Sequence, residues 1–114
     1  MTQTYEIATL HPVFVRQLDA LARGDIDLLL ENYHQDAVLL RFDGVASGLD
    51  ELRATLSVYL SLGPELVELS QYVQTDDTVS YRAVMKIGGR AEKAFGTLVL
   101  RDGKIWRQTV GFGD

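Results

Sequence analysis

The feature that most constrains the fold is the regular alternation of strand-like segments and turn signals after Gly63-Pro64. The last two segments are joined by Asp102-Gly103, a dipeptide typical of two-residue hairpins. Short connections make successive strands antiparallel neighbours. The second half of the chain is therefore predicted to form one antiparallel sheet. Its four strands are expected at residues 66–74, 78–87, 94–100 and 105–112.

The residues before this sheet show helical spacing and helix-capping signals. Pro12 suits the first turn of a helix, and Gly24 suits its left-handed C-cap. Asp25 is a good N-cap for a second, shorter helix that is expected to end near Tyr33. Asp50 is expected to cap a third helix.

A short buried strand is predicted at residues 38–40, between the second and third helices, with a turn at residues 42–44. The whole chain, residues 1–114, is of a size that suits one domain. Three helices packed on one face of a curved antiparallel sheet make an α+β architecture.

Hairpin parity divides the strand side chains between two faces. The first face, expected to line the interior, carries Arg82, Val84, Lys86, Phe95, Thr97, Val99, Trp106, Gln108, Val110 and Phe112. The second face carries Val79, Tyr81, Ala83, Met85, Ile87, Ala94, Leu98, Leu100, Ile105 and Arg107. Both faces are partly apolar, and three short helices can cover only one of them. We therefore expect a homodimer through the second face of the sheet, unless a bulge shifts the parity.

Composition excludes several classes of partner and site. The net charge is −5 without a Lys/Arg cluster, which disfavours nucleic acid and anionic membranes as partners. The chain has no cysteine, which excludes disulfides, thiol nucleophiles and thiolate metal sites. It also has no apolar run of the length of a membrane span, about 20 residues. The first residues lack the pattern of a signal peptide, so a cytoplasmic protein is expected.

Several short segments resemble those of one superfamily. They are residues 21–25 (LARGD), 33–38 (YHQDAV), 44–53 (GVASGLDELR) and 100–105 (LRDGKI). In this order and spacing the chain resembles the nuclear-transport-factor-2-like superfamily, and within it the SnoaL-like polyketide cyclase and ketosteroid isomerase branch. The resemblance covers residues 14–114.

The resemblance implies a cone-shaped, cystatin-like fold in which three helices close over a bent sheet that lines an apolar pocket. Members of the superfamily include isomerases, cyclases, dehydratases, epoxide hydrolases and non-catalytic binding modules. Membership therefore implies a fold and a pocket, and it leaves the activity open.

The resemblance to ketosteroid isomerase can be examined at its three catalytic positions. That enzyme uses an Asp base, with a Tyr and a protonated Asp as oxyanion donors. The matching positions here hold Gln17, Arg41 and Thr97, and a guanidinium cannot act as a base. A shift of two residues would place Asp43 at the base position. His34 is the other candidate base, and the competing interpretation is a solvent-facing residue or helix cap.

Eight residues are the candidate ligand-binding set: Gln17, Tyr33, Arg41, Tyr59, Phe95, Thr97, Trp106 and Gln108. The polar members would anchor a ligand, and Phe95 and Trp106 would form an apolar wall. Arg41 could bind a carboxylate, enolate or phenolate, or it could point to water or pair with Asp43. For the aromatic residues the alternative is ordinary core packing.

These observations predict a SnoaL-like protein that binds a small apolar or ring-bearing molecule. As an enzyme it would be an isomerase or cyclase, acting by proton transfer on a ketone-like substrate with hydrogen-bond donors at the enolate oxygen. The alternative is a non-catalytic ligand-binding or dimeric interaction module of the same fold. No cofactor is implied, and two distant histidines make a metal site improbable.

Overall fold

A computed structural model describes residues 9–113, and these residues form three helices and one six-stranded sheet. The elements in chain order are α1 (Pro12–Arg23), α2 (Ile26–Leu30), β1 (Tyr33–Arg41), β2 (Gly44–Ser47), α3 (Gly48–Leu60), β3 (Glu65–Gln74), β4 (Thr78–Ile87), β5 (Arg90–Arg101) and β6 (Lys104–Phe112). The strand order is β2-β1-β6-β5-β4-β3. All neighbours are antiparallel except β1 and β6, which pair in parallel.

The predicted caps of the first two helices are confirmed. Pro12 begins α1, and Gly24 ends it with a φ of 63° while its N–H donates to carbonyl groups of the last turn. The side chain of Asp25 accepts a hydrogen bond from the N–H of Leu28 at 3.0 Å, so it caps α2.

The boundaries around β1 and α3 differ from the predicted ones. Tyr33 begins β1 and does not end a helix, because α2 stops after one short turn. Ser47 occupies the N-cap position of α3 and Asp50 lies within its first turn. Strand β2 was not predicted, because a four-residue segment that follows a turn and includes Gly44 reads as a loop. Since β1 and β2 precede α3, the three helices are not all N-terminal to the sheet.

The helices cover the second predicted face of the sheet, not the first. Val79, Leu98, Leu100 and Ile105 belong to the buried core, together with residues of all three helices. We call this the inner face and the opposite side of the sheet the outer face. The expectation of a homodimer through the second face is therefore wrong in its choice of surface, because the protein's own helices cover that surface.

A β-bulge at the start of β6 changes the parity of this strand. Val99 lies opposite Arg107, whereas Leu100 lies opposite Ile105, so Trp106 is the extra residue. Ile105, before the bulge, therefore shares the inner face with Gln108 and Val110, after it. A single parity for the whole of β6, as assumed from the sequence, is wrong.

Candidate functional site

A narrow cavity lies between α1, α3 and the inner face of the sheet. Its volume is about 80 Å³. This is smaller than the roughly 300 Å³ or more of common ligand pockets. Apolar side chains make most of the wall, among them Phe14, Leu18, Leu39, Leu56 and Leu98. The polar members of the lining are Gln17, Arg41, Thr55, Tyr59, Tyr81 and Gln108.

A wider depression adjoins the cavity, and we call it the mouth groove. Its volume is about 540 Å³, and it is lined by Arg41, Ala54, Thr55, Val58, Tyr59, Leu62, Ile87, Glu92 and Phe112. The groove and the cavity have Arg41, Thr55, Tyr59 and Phe112 in common. Val58, Leu62 and Phe112 are exposed, so the groove presents apolar surface to solvent. The cavity and an open, largely apolar groove therefore share part of their walls.

A buried polar network borders the cavity. The amide of Gln17 donates to the hydroxyl oxygen of Tyr33 at 2.8 Å, and that hydroxyl donates to Oε1 of Gln108 at 2.5 Å. All three residues are less than 9% exposed. The network joins α1 to β1 and β6, so it links the polar wall of the cavity to both strands.

Asn32, just before β1, extends this network away from the cavity. Its Nδ2 atom donates to the carbonyl oxygen of Val13 and to Oε1 of Gln17, both at 3.0 Å. Its Oδ1 atom accepts from Nε of Arg16 at 3.0 Å. The backbone carbonyl of Asn32 accepts from the N–H of Ile105 at 2.9 Å. Every polar group of this buried residue is thus used within the protein.

The hydroxyl groups near the cavity stay protonated at ordinary pH. Burial raises the pKa of Tyr33 well above its usual range, and its hydrogen bond with Gln17 only partly offsets this effect. Burial also raises the pKa of Tyr59 and of Tyr81 to about 12. These groups can therefore act as neutral hydrogen-bond donors and not as bases.

The structure brings five of the eight predicted ligand-binding residues together. Gln17, Arg41, Tyr59 and Gln108 line the cavity, and Tyr33 lies directly behind two of them. Arg41 lines the cavity and also shows the predicted alternative, an exposed side chain paired with Asp43. Its side chain is 40% exposed at the rim, and its Nε atom lies 3.4 Å from a carboxylate oxygen of Asp43. The ligand-binding role of these residues stays a prediction.

The other three predicted residues lie elsewhere, so the expectation that they line the cavity is wrong. Phe95 and Thr97 are on the outer face, where Thr97 shares a hydrogen bond of 3.0 Å with Ser80. Trp106 is the bulged residue, and the guanidinium of Arg107 lies 3.8 Å from the centre of its ring. The error follows from the parity of the strands, which the sequence pattern leaves ambiguous when both faces carry apolar residues.

The two candidate bases also lie away from the cavity. His34 accepts a hydrogen bond from the N–H of Asp36 through Nδ1, and its Nε2 atom is 3.6 Å from a carboxylate oxygen of Asp102 at the β5–β6 turn. Asp43 sits at the β1–β2 turn beside Arg41. Neither residue is part of the lining of the cavity.

Sequence reasoning missed several polar residues of this region, among them Asn32 and Glu92. Asn32 lies between a helix and a strand, where a polar residue usually indicates only a loop. Glu92 fell outside the predicted strand, which began at Ala94. Because alternate residues share a face, extending that strand by two residues would have placed Glu92 on the same side as Ala94.

Comparison with known proteins agrees with this architecture. The family model of the SnoaL-like domain matches residues 14–108. No curated protein matches the chain in sequence. Among the described residues, no helix has the length and apolar character needed to cross a membrane.

Solved structures of low sequence identity share the fold. A nuclear-transport-factor-2-like protein of unknown function from Cytophaga hutchinsonii is 13% identical, with a TM-score of 0.76 and coverage of 99% of this chain and 95% of the other. A candidate polyketide cyclase from Sinorhizobium meliloti is 20% identical, with a TM-score of 0.78 and coverage of 94% and 100%.

A third structure has a ketosteroid isomerase-like fold and comes from Catenulispora acidiphila, in complex with trimethylamine. It is 13% identical, with a TM-score of 0.76 and coverage of 90% of this chain and 86% of the other. At these identities the likeness concerns the fold alone. Together with the family match over most of its length, it shows that the chain belongs to the SnoaL-like domain family, within the nuclear-transport-factor-2-like fold.

Proposed function

We propose that this protein binds a small, mostly apolar molecule, whose body lies in the mouth groove and whose polar end reaches into the cavity. The observation that carries the proposal is that the two spaces are neighbours and share four lining residues, Arg41, Thr55, Tyr59 and Phe112. A polar group that enters the cavity would meet the amide of Gln108, while apolar walls exclude water around it.

Arg41 would assist an anionic or strongly accepting ligand. Its Nε atom is directed to Asp43, and a guanidinium has five N–H donors in all. The remaining donors are available at the rim that joins the cavity to the groove. A carboxylate, enolate or phenolate that binds there would pair with a partly exposed cation, so this contact would adjust affinity more than determine it.

Binding without chemistry is the function that the geometry supports best. Within residues 9–113, the lining of the cavity includes no carboxylate and no imidazole. A general base must lie within hydrogen-bond reach of the proton that it abstracts. The second candidate function, an isomerase or cyclase acting on a ketone-like substrate, is favoured by one observation, which is the carboxylate of Glu92 in the mouth groove.

The binding proposal is tested by blocking the mouth groove. Affinities for 2-tetralone, 2-naphthol and decanoate would be measured by calorimetry for the native chain and for Val58→Arg. We expect the variant to lose at least tenfold in affinity for those probes that bind. Val73→Arg is the matched control, since Val73 is 65% and Val58 is 66% exposed and Val73 lies away from the groove. Equal affinities in both variants would refute binding in the groove.

The choice between binding and catalysis is tested by proton exchange. Nuclear magnetic resonance would follow deuterium incorporation next to the carbonyl of 2-tetralone in D₂O. Binding without exchange above the buffer rate is expected. Exchange that is lost in Glu92→Gln would instead establish the enzyme and identify its base.

We also infer a homodimer through the outer face of the sheet, the surface that the helices leave open. Leu40, Val84, Phe95 and Val99 give this face apolar character. Leu40→Asp should dissociate the dimer in sedimentation experiments, whereas Leu62→Asp in the mouth groove should not. The two leucines are 44% and 46% exposed, so the comparison is matched for burial. A native chain that sediments as a monomer would refute the dimer.

A further inference from the structure

We infer that a hydrogen-bond chain has a fixed direction that turns the N–H groups of Gln108 into the cavity. The chain, called the relay below, runs Arg16–Asn32–Gln17–Tyr33–Gln108, from an exposed arginine to four buried residues. The site would then select ligands whose buried group is a hydrogen-bond acceptor. The inference rests on the proposed binding function and names the chemistry of the ligand's polar end. Asn32 is its positioning residue, because it directs the relay without lining the cavity.

The direction of the relay is set at its outer end. A guanidinium can only donate hydrogen bonds, so the atom of Asn32 that contacts Arg16 must be the oxygen. A backbone carbonyl can only accept, so the atom of Asn32 that contacts the carbonyl of Val13 must be the nitrogen. Two independent partners therefore fix the orientation of the Asn32 amide.

Each later member inherits this direction. The nitrogen of Asn32 donates to Gln17, so the oxygen of the Gln17 amide faces Asn32 and its nitrogen faces Tyr33. The Tyr33 oxygen accepts this bond, and its single proton goes to Gln108. The oxygen of the Gln108 amide therefore faces Tyr33, and its NH₂ group faces the other way.

The NH₂ group of Gln108 opens onto the cavity. Among the described residues, every fully buried side-chain nitrogen or oxygen has a hydrogen-bond partner. The hydrogen bond of Gln108 within this part of the chain is made by its oxygen, so its nitrogen reaches open space in the cavity that the residue lines. The reversed amide would leave the Tyr33 proton without an acceptor in a buried site, which is unfavourable.

A cavity that offers amide N–H groups discriminates between ligands of equal shape. A ketone, ester or carboxylate oxygen satisfies the NH₂ group of Gln108, whereas an isosteric exocyclic methylene leaves it unpaired. An unmade buried hydrogen bond typically changes affinity by about tenfold. The matched probes are 2-tetralone and 2-methylenetetralin, which differ in one oxygen atom.

The variant that reverses the relay is Gln17→Glu, which replaces one nitrogen atom by oxygen. One carboxylate oxygen would still accept from Asn32, and the other would accept from Tyr33. The hydroxyl would then accept from Gln108, whose carbonyl oxygen would turn into the cavity. We expect the affinity ratio of ketone to methylene analogue to fall about tenfold, and the carbonyl stretch of bound 2-tetralone to lose its hydrogen-bond shift.

Asn32→Asp tests the same reversal from outside the cavity, and it decides the question if Gln17→Glu does not fold. Arg23→Ala is the control, because Arg23 is an exposed residue of α1, the helix of Gln17, and its guanidinium pairs with Asp19 at the surface. An unchanged affinity ratio in a folded relay variant would overturn the inference. In the native chain, an unshifted carbonyl stretch for bound 2-tetralone would overturn it as well, while the binding proposal would stand. Failure of both probes to bind would remove the binding proposal itself.

Discussion

Tyr33→Phe is the substitution that most directly tests the buried polar network. It removes one oxygen atom and keeps the ring that begins β1. Tyr33 is 2% exposed, and its hydroxyl accepts from Gln17 at 2.8 Å and donates to Gln108 at 2.5 Å. The variant would leave a donor on Gln17 and an acceptor on Gln108 without their partner.

The expected cost follows from these two groups. An unpaired buried polar group costs about 1–3 kcal/mol, so two of them set an upper limit of about 6 kcal/mol. Both amides border a cavity of about 80 Å³, which can admit a water molecule that replaces the hydroxyl. We therefore expect the free energy of unfolding to fall by about 2 kcal/mol, which corresponds to about 1 M in the urea midpoint for a small domain.

Urea unfolding followed by circular dichroism measures this loss, provided that the slope of the transition is unchanged. Tyr81→Phe is the matched control. Tyr81 also lines the cavity, and its hydroxyl takes no part in the hydrogen bonds that join Gln17, Tyr33 and Gln108. The control should lose less than about 0.5 kcal/mol. Equal losses in the two variants would refute the argument that the network stabilises the fold.

Three further predictions concern stability. Gly96→Ala should lower the free energy of unfolding by about 2 kcal/mol or more in urea titrations. The reason is that the added Cβ would lie 2.4 Å from the backbone oxygen of Thr109. An unchanged free energy of unfolding would mean that β6 can move aside. Gly24→Ala should lower the free energy of unfolding by about 1 kcal/mol. Gly24 has a φ of 63°, and an added Cβ would meet no atom within 4 Å, so the loss would come from backbone strain alone. A gain in stability would contradict this explanation. Burial raises the pKa of Tyr59 and of Tyr81 to about 12, above the ordinary value of 10. Above pH 10 the folded state therefore keeps protons that the unfolded state loses, and the free energy of unfolding should fall as the pH rises from 10 to 12. A urea midpoint that is constant over this range would contradict this prediction.

Much of the fold follows from local signals in the sequence. Pro12, Gly24 and Asp25 each act at one position through backbone geometry or a short hydrogen bond, so their roles can be predicted without knowledge of the rest of the chain. The Asp102-Gly103 hairpin is of the same kind. The structure confirms all of these predictions.

The assignment of faces could not be predicted in the same way. It depended on which of two partly apolar faces the helices cover, and this is a tertiary question. It also depended on Trp106 being an extra residue in β6, and the strand pattern contains no signal for such a bulge. One wrong choice of parity moved Phe95 and Thr97 to the wrong side together, because alternation links every residue of a strand.

The candidate site shows the same division. Gln17 and Arg41 were found because the family resemblance assigned roles to their positions, and Tyr59 was found from helical spacing. The link between Asn32 and Gln17 is a contact between residues 15 positions apart, and its importance depends on Arg16 and Val13 being beside it. Residue types alone do not reveal such a network.

The parallel pairing of β1 with β6 has a consequence for how the chain folds. Val38 lies beside Arg107, and Asn32 binds Ile105 through its backbone, so the centre of the sheet joins segments from opposite ends of the chain. Contacts of such long range slow folding, because the loop must close before they form. During synthesis, the N-terminal helices and β1 would emerge well before their partner strand. The sheet can become continuous only after β6 has left the ribosome, so the nascent chain would expose the edge of β1 until β6 emerges.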